Sequence, residues 1–196
     1  GEFHFASTHD GHDIWPILME KGFAKVFGSY WAIRGGRGFE SFKAVTQAPV
    51  DIYEASVSKR NTLEWKSPYS LWRVMEDAHK NKFPMTGGST ENSFGTVSGH
   101  SFAIIGAGEH PDQGKTVEVY NPWAGNRYNG TLKALSNKLT GSYKLTFEEF
   151  TEAFSKIQVA RVRKGYKIYY KRVPVGKPVA LAFRVWSPDP FAVQLE

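Results

Sequence analysis

The sequence predicts an α+β fold, an antiparallel sheet packed by helices. Three observations carry that expectation. Helical patterns come first, and strand-like runs follow them rather than alternating with them. Two of those runs flank a stretch of turn residues and so read as an antiparallel hairpin. The composition supports a self-sufficient core: 196 residues, 41% apolar and 22% charged, match an ordinary globular chain. A chain of this length buries roughly 70% of its unfolded surface.

The first helix is expected after Asp13, a good N-cap, with Pro16 still inside the first turn, where proline is tolerated. Trp15, Leu18, Met19, Gly22, Phe23, Val26 and Phe27 recur at helical spacing, an apolar face that reads as core. Gly28-Ser29 ends this helix, and Gly35-Gly36-Arg37-Gly38 reads as a loop. A shorter helix is expected over Glu40–Val45. Ser67 followed by Pro68 starts another, which would bury Leu71, Val74, Met75 and Ala78. The intervening Ala48–Lys66 segment is ambiguous, with Ile52 and Tyr53 as strand candidates. Asn81–Met85 leads into a strand or loop, and Gly87-Gly88 opens a loop rich in Ser, Thr, Asn and Gly.

Val97–Ala107 reads as a strand, because Phe102, Ala103, Ile104 and Ile105 form a short apolar run flanked by glycines. Lys115–Tyr120 reads as its partner, with Val117 and Val119 alternating with polar residues. Gly108–Gly114 between them is turn material. Thr146 and Glu149 fit a capping box, with Leu145 and Phe150 as its hydrophobic staple. The helix they start would bury Phe150, Phe154 and Ile157. Strand-like runs follow at Gln158–Val162, Gly165–Val173 and Pro178–Val185.

Several function classes fall away on composition. The chain has no cysteine, which excludes a disulfide framework, a thiolate zinc site and a cysteine nucleophile of its own. No apolar run approaches about 18 residues, so no membrane span is expected. No basic stretch followed by an apolar one opens the chain, so a cytoplasmic location is expected. Gly1-Glu2-Phe3 and Leu195-Glu196 are read as cloning-site remnants without fold information. His4, His9 and His12, with Asp10 and Asp13, lack a helical metal-binding spacing and read as a surface cluster. Gly106-Ala107-Gly108 is no dinucleotide fingerprint, because Pro111 stands where the third glycine belongs. Gly35–Gly38 lacks the Gly-Lys-Ser/Thr ending of a phosphate loop. The net charge is +6, and Arg161–Arg172 interleaves basic residues with Tyr166, Tyr169 and Tyr170. That pattern can bind nucleic acid, but it reads as a solvated strand face, and no nucleic-acid partner is expected.

The remaining signal is the pair His100 and Asn121. His100 shares a strand face with Phe102 and Ile104, and Asn121 shares one with Val119 and Val117. In an antiparallel pair the numbers of opposed residues have a constant sum. A sum of 221 opposes His100 to Asn121, Phe102 to Val119 and Ile104 to Val117, and leaves residues 107–114 as the loop. Opposed side chains are close enough for the amide oxygen to accept the imidazole Nδ1–H, leaving Nε2 outward as base. A half-buried structural histidine on a hairpin is the alternative.

At these residues the chain resembles a known family. Trp15-Pro16-Ile17-Leu18-Met19-Glu20-Lys21-Gly22-Phe23-Ala24-Lys25, followed by Gly28-Ser29-Tyr30 and Gly35-Gly36, is similar to the first helix of the second protease-core subdomain of calpains. Gly99-His100-Ser101-Phe102 resembles the family's catalytic histidine strand, and Asn121-Pro122-Trp123 its Asn-Pro-Trp motif. Thr146–Ile157 resembles the helix that closes the subdomain. The matches run in family order over roughly residues 3–160.

The resemblance implies a papain-like half-domain, the C-terminal half of a cysteine endopeptidase core. Its nucleophilic cysteine would belong to an upstream subdomain. It implies His100 as general base and imidazolium partner, Asn121 as the residue that orients it, and Trp123 as the shield over their bond. Cys-His-Asn is one variant of the triad logic. Expected partners are protein or peptide substrates and the upstream Cys-bearing subdomain. A catalytically inactive protein-binding module of the same fold is the runner-up. The family holds calcium through acidic residues between the Asn-Pro-Trp motif and the closing helix, but Ala124–Lys144 has no Asp or Glu. No cofactor is therefore expected within this chain. Residues 1–160 are read as the subdomain, and 161–196 as a β-strand extension toward a following domain.

Overall fold

The computed structural model describes residues 14–55, 62–136 and 141–162. They belong to two compact units, Gly1–Arg37 and Gly38–Glu196. The expected surface cluster of His4, His9, His12, Asp10 and Asp13 lies outside the described residues, as do the strand-like runs at 165–173 and 178–185.

In the first unit, helix α1 spans Trp15–Phe27, with Pro16 in its first turn. Ile14 occupies the N-cap and makes no side-chain bond there; the expected cap Asp13 is outside the described residues. Gly28 at φ 93 takes the left-handed conformation that ends the helix, as its sequence position anticipates. A 3-10 turn follows at Trp31–Ile33, its start held by Ala32 N–H donating to Ser29 Oγ at 3.1 Å. The apolar stripe of α1 is not core. Trp15, Leu18, Met19, Val26 and Phe27 are all exposed, and Ala24 is the buried residue of the helix.

In the second unit the elements run α2 (Gly38–Thr46), β1 (Val50–Glu54), α3 (Pro68–Lys80), β2 (Met85–Ser89), β3 (Ser101–His110), β4 (Gly114–Tyr120), β5 (Ser142–Thr146), α4 (Phe147–Ala153) and β6 (Phe154–Ala160). The six strands form one antiparallel sheet in the order β1-β6-β2-β3-β4-β5. The fold is α+β, consistent with a papain-like half-domain. Strand β6 carries the chain from α4 back into the middle of the sheet. It is buried along Ile157–Ala160.

Helix α3 forms as its sequence specifies. The Ser67 hydroxyl accepts the Ser70 N–H, Pro68 opens the first turn, and Leu71, Trp72, Met75 and Ala78 are buried. Val74, expected inside, is half-buried while Trp72 takes its place. The core joins α3 to Met85, Phe102, Ile104, Val117, Val119, Leu145, Phe150, Phe154, Ile157 and Val159. A run of aromatic contacts crosses it. Trp72 meets Phe147 at 5.1 Å, Phe147 stacks on Phe150 at 6.4 Å, Phe150 on Phe154 at 4.7 Å, and Phe154 meets Phe102 edge-on at 5.4 Å.

Three expectations are corrected. Gly87-Gly88 lies in β2 rather than in a loop. The Phe154 ring covers Gly87 so closely that an added Cβ would sit 2.8 Å from Phe154 Cδ1, which is why a glycine stands in this strand. The closing helix stops at Ala153 instead of continuing to Ile157. From Phe154 the backbone is extended, so Phe154 and Ile157 are buried from a strand. The hairpin register differs too. Ala103 opposes Tyr120 and Ile104 opposes Val119, a sum of 223; past a bulge at Ile105, Gly106 opposes Glu118, a sum of 224. Residues 108–110 pair with Thr116, Lys115 and Gly114, so the turn shrinks to Pro111–Gln113, closed by Gly114 at φ 66.

Candidate active site

His100 lies one residue before β3 and Asn121 one residue after β4, so the hairpin brings them together at its open end. They do not oppose each other in the ladder. At a sum of 223 it is Phe102 that falls level with Asn121. The His100 ring meets Phe102 edge-on at 5.0 Å, so the aromatic run that crosses the core ends on the imidazole. On the other side Trp123 lies over the imidazole, with ring centroids 4.0 Å apart and planes tilted by 32°. Asn121 is 3% exposed and Trp123 68%, so the indole is a cover turned to solvent rather than a core residue.

The Asn121 amide is oriented by the main chain. Its Oδ1 accepts the Trp123 N–H at 3.1 Å, and its Nδ2 donates to the Gly125 carbonyl at 2.6 Å. Oδ1 therefore faces His100, where Nε2 lies 3.0 Å away. An oxygen that faces a ring nitrogen accepts, so Nε2 carries the proton and donates. The expected bond is thus present through the other nitrogen. Nε2 binds the amide and Nδ1 is left as the acceptor, the reverse of the tautomer read from cross-strand spacing.

The turn after Asn121 is tightly built. Asn121 N–H donates to the Gly141 carbonyl, and Ala124 N–H donates to the Asn121 carbonyl. Gly141 at φ 73 passes so close that a Cβ would meet the Asn121 carbonyl oxygen at 2.8 Å. Ala124 takes φ 54, a left-handed conformation uncommon for a residue with a Cβ. Further along, Tyr128 and Thr131 bind Glu149 of α4. The Tyr128 hydroxyl donates to Oε2 at 2.6 Å and Thr131 N–H to Oε1 at 2.7 Å. Thr146 N–H adds a bond at 3.1 Å that completes the capping box.

That donor chemistry does not fit a calcium ion. The segment from Ala124 to Lys144 offers no carboxylate of its own, and the Glu149 oxygens that reach it are taken by N–H and O–H donors. Among the described residues no three His, Asp or Glu side chains cluster as a metal site. Of the basic run from Arg161, the described Arg161 is engaged rather than solvated. It bonds Asp51 at 2.7 Å, the Tyr53 hydroxyl at 2.9 Å and Asp77 at 3.3 Å.

Sequence reasoning did not find Ser89, Gly125 or Gly141. Gly125 and Gly141 act through main-chain carbonyls, and a carbonyl leaves no mark on residue type. Ser89 follows two glycines and so read as loop.

Comparison with known proteins places the chain in a family. Residues 1–161 match the family model described as calpain family cysteine protease. Human calpain-9 is 22% identical in an alignment covering 81% of this chain and 26% of that protein. The calpain-2 catalytic subunit of Gallus gallus is 25% identical, with 83% and 26% covered, and that of Homo sapiens 24%, with the same coverage. The chain spans about a quarter of the length of these relatives.

Proposed function

The chain belongs to the calpain family of cysteine proteases, and we propose that it supplies the catalytic histidine and asparagine to a cysteine in an upstream subdomain. The observation that carries this reading is the directed bond from His100 Nε2 to an Asn121 oxygen whose orientation the Trp123 N–H and the Gly125 carbonyl fix. It leaves Nδ1 as the one basic ring position.

The chemistry follows from that tautomer. A cysteine thiol near pKa 8.5 needs an adjacent base to become a thiolate at neutral pH. Nδ1 takes the thiol proton, giving a thiolate and an imidazolium that donates from both nitrogens. Asn121 Oδ1 keeps accepting from Nε2 throughout, so the ring does not turn as its charge changes. The thiolate attacks the scissile carbonyl. Nδ1–H then gives its proton to the leaving amine, and Nδ1 accepts a proton again from the water that releases the acyl group. Trp123 over the ring keeps water from the Nε2–Oδ1 bond. The substrates are proteins or peptides, and the setting is the cytoplasm. Among the described residues no helix is long and apolar enough to cross a membrane.

The test is peptide hydrolysis by an intact two-subdomain core with its cysteine present, assayed on casein or a fluorogenic peptide at pH 7–8. His100→Ala is expected to abolish turnover, and Asn121→Ala to leave a residual rate, since an unoriented base still accepts a proton. Activity that survives His100→Ala sinks the assignment. An intact core inert with and without calcium favours a non-catalytic protein-binding module.

A further inference from the structure

The main chain at His100 keeps a main-chain bond to β2 through its carbonyl, while its N–H turns to a side chain instead. Pairing of β2 with β3 ends at Gly88 opposite Ser101, and β2 shifts register against β6 between Gly88 and Ser89. His100 is therefore the first residue beyond the regular sheet, and Ser89 holds it there. Ser89 N–H donates to the His100 carbonyl at 2.9 Å, and the Ser89 hydroxyl oxygen accepts the His100 N–H at 3.1 Å. Gly99 N–H donates to the Ser89 carbonyl at 3.1 Å. The hydroxyl proton faces two carbonyls, Val97 at 2.6 Å and His100 at 2.9 Å, and bonds one at a time. Both main-chain polar groups of His100 thus end on one buried serine, which is 8% exposed.

We infer that Ser89 is a positioning residue for the His100 imidazole, fixing the Gly99-His100 main chain from which the ring projects. The inference rests on the reading of His100 as the base. Asn121 fixes the ring at Nε2, and Ser89 fixes the backbone at the other end of the side chain. Together they set where Nδ1 lies. Gly99 adds no steric restraint beyond its own N–H bond to the Ser89 carbonyl: it sits at φ 64, and a Cβ there would meet nothing within 4 Å. Without the Ser89 hydroxyl the His100 N–H would lose its acceptor beside this permissive glycine, and Nδ1 would move relative to an incoming thiol. A misplacement of about 1 Å costs on the order of a hundredfold in rate. A serine serves here because its oxygen accepts one N–H and donates to a carbonyl in the same small volume, as alanine cannot.

The experiment reads the ring directly, by ¹⁵N NMR of the His100 imidazole in the 196-residue chain. The parent chain is expected to show the Nε2–H tautomer. Ser89→Ala is expected to shift it toward the mixture of a free imidazole, and Ser89→Thr, which keeps the hydroxyl, to restore it. Thr146→Ala, which weakens α4 at a distance, should leave the ring signals in place. In an intact two-subdomain core, Ser89→Ala is expected to lower kcat about tenfold to a hundredfold at unchanged KM, with Ser89→Thr recovering it. A folded Ser89→Ala chain with parental ring shifts, or kcat within about twofold of the parent, overturns the inference. If Ser89→Ala does not fold, amide exchange in the parent decides. A protected His100 N–H supports the bond to Ser89, and exchange at the open-chain rate refutes it. A parent chain without the Nε2–H tautomer instead brings down the His100–Asn121 reading itself, which failure at Ser89 alone leaves standing.

Discussion

Glu149 is buried, and burial works against its charge. Hydrogen bonds from Thr131, from the Tyr128 hydroxyl and from Thr146 N–H outweigh that penalty and hold the carboxyl below its ordinary value of 4.5. A folded-state pKa depressed below the unfolded one contributes stability above the unfolded value, and that contribution disappears as pH falls through the folded value. Denaturant unfolding is expected to show stability falling as pH drops below about 4.5. Glu149→Gln should flatten that slope and cost about 1–3 kcal/mol at neutral pH, because a carboxamide cannot accept all these donors. Tyr143 gives the opposite sign. Burial pushes its phenol up to about 12, against the pull of its bond to Thr96. Its contribution is present below the ordinary value of 10.0 and falls as pH rises from there toward 12. Tyr143→Phe should reduce the alkaline loss in the same assay, leaving the part that Tyr128 and Tyr53, also raised by burial, contribute. The capping role of Glu149 was legible in the sequence, because three-residue spacing within one turn is local. Its bonds to Tyr128 and Thr131 were not, because they depend on where a loop of some twenty residues folds back.

Elements that depended on local chemistry form where the residues place them. Thr146 caps α4, and Thr146→Ala is expected to cost about 1 kcal/mol, read as a lower denaturation midpoint with unchanged slope. Ser67-Pro68 opens α3 for the same local reason. The elements that departed are those whose limits neighbours set. β2 runs through Gly87-Gly88 because Phe154 needs the space a side chain would fill. Gly87→Ala is therefore expected to cost about 1–3 kcal/mol, although alanine ordinarily suits a strand better than glycine. A thermal midpoint unchanged by that substitution would show that Phe154 moves aside freely. The α4–β6 junction at Phe154 is likewise decided by pairing with β2 and β1, which ends the helix sooner than its apolar spacing implies.

At the scale of the whole chain, what is absent from the sequence bears directly on its chemistry. With no cysteine in 196 residues, the chain alone is expected to release no product from a fluorogenic peptide, since a base without a nucleophile cannot form an acyl-enzyme. Turnover that tracks the purified chain and disappears in His100→Ala would instead mean that the imidazole activates water unaided. The uncharged-or-basic stretch from Ala124 to Lys144 leads to a second expectation, no saturable heat when calcium is titrated to millimolar concentration. A stoichiometric heat would place ligands elsewhere, with Glu109 and Asp112 the first to substitute.

The sequence by itself determined which residues meet. His100 and Asn121 stand at the two ends of a hairpin whose strands are written in alternating apolar residues, and Asn121-Pro122-Trp123 and Gly99-His100 carry the family's pattern in order. It likewise determined the caps of α3 and α4, which are interactions of a residue with its near neighbours along the chain. Only the tertiary structure decided how they meet. The ladder sets Phe102 rather than His100 level with Asn121, and it is Nε2, not Nδ1, that faces the amide. The carbonyl of Gly125 and the N–H of Trp123 choose the face of Asn121, and Ser89 holds the backbone of His100 from a strand that read as loop. At Gly125, at Trp123 and at the His100 N–H one partner is a main-chain group, which every residue possesses, so residue type alone cannot announce the pairings. They come into being only when distant segments are brought to hydrogen-bond distance.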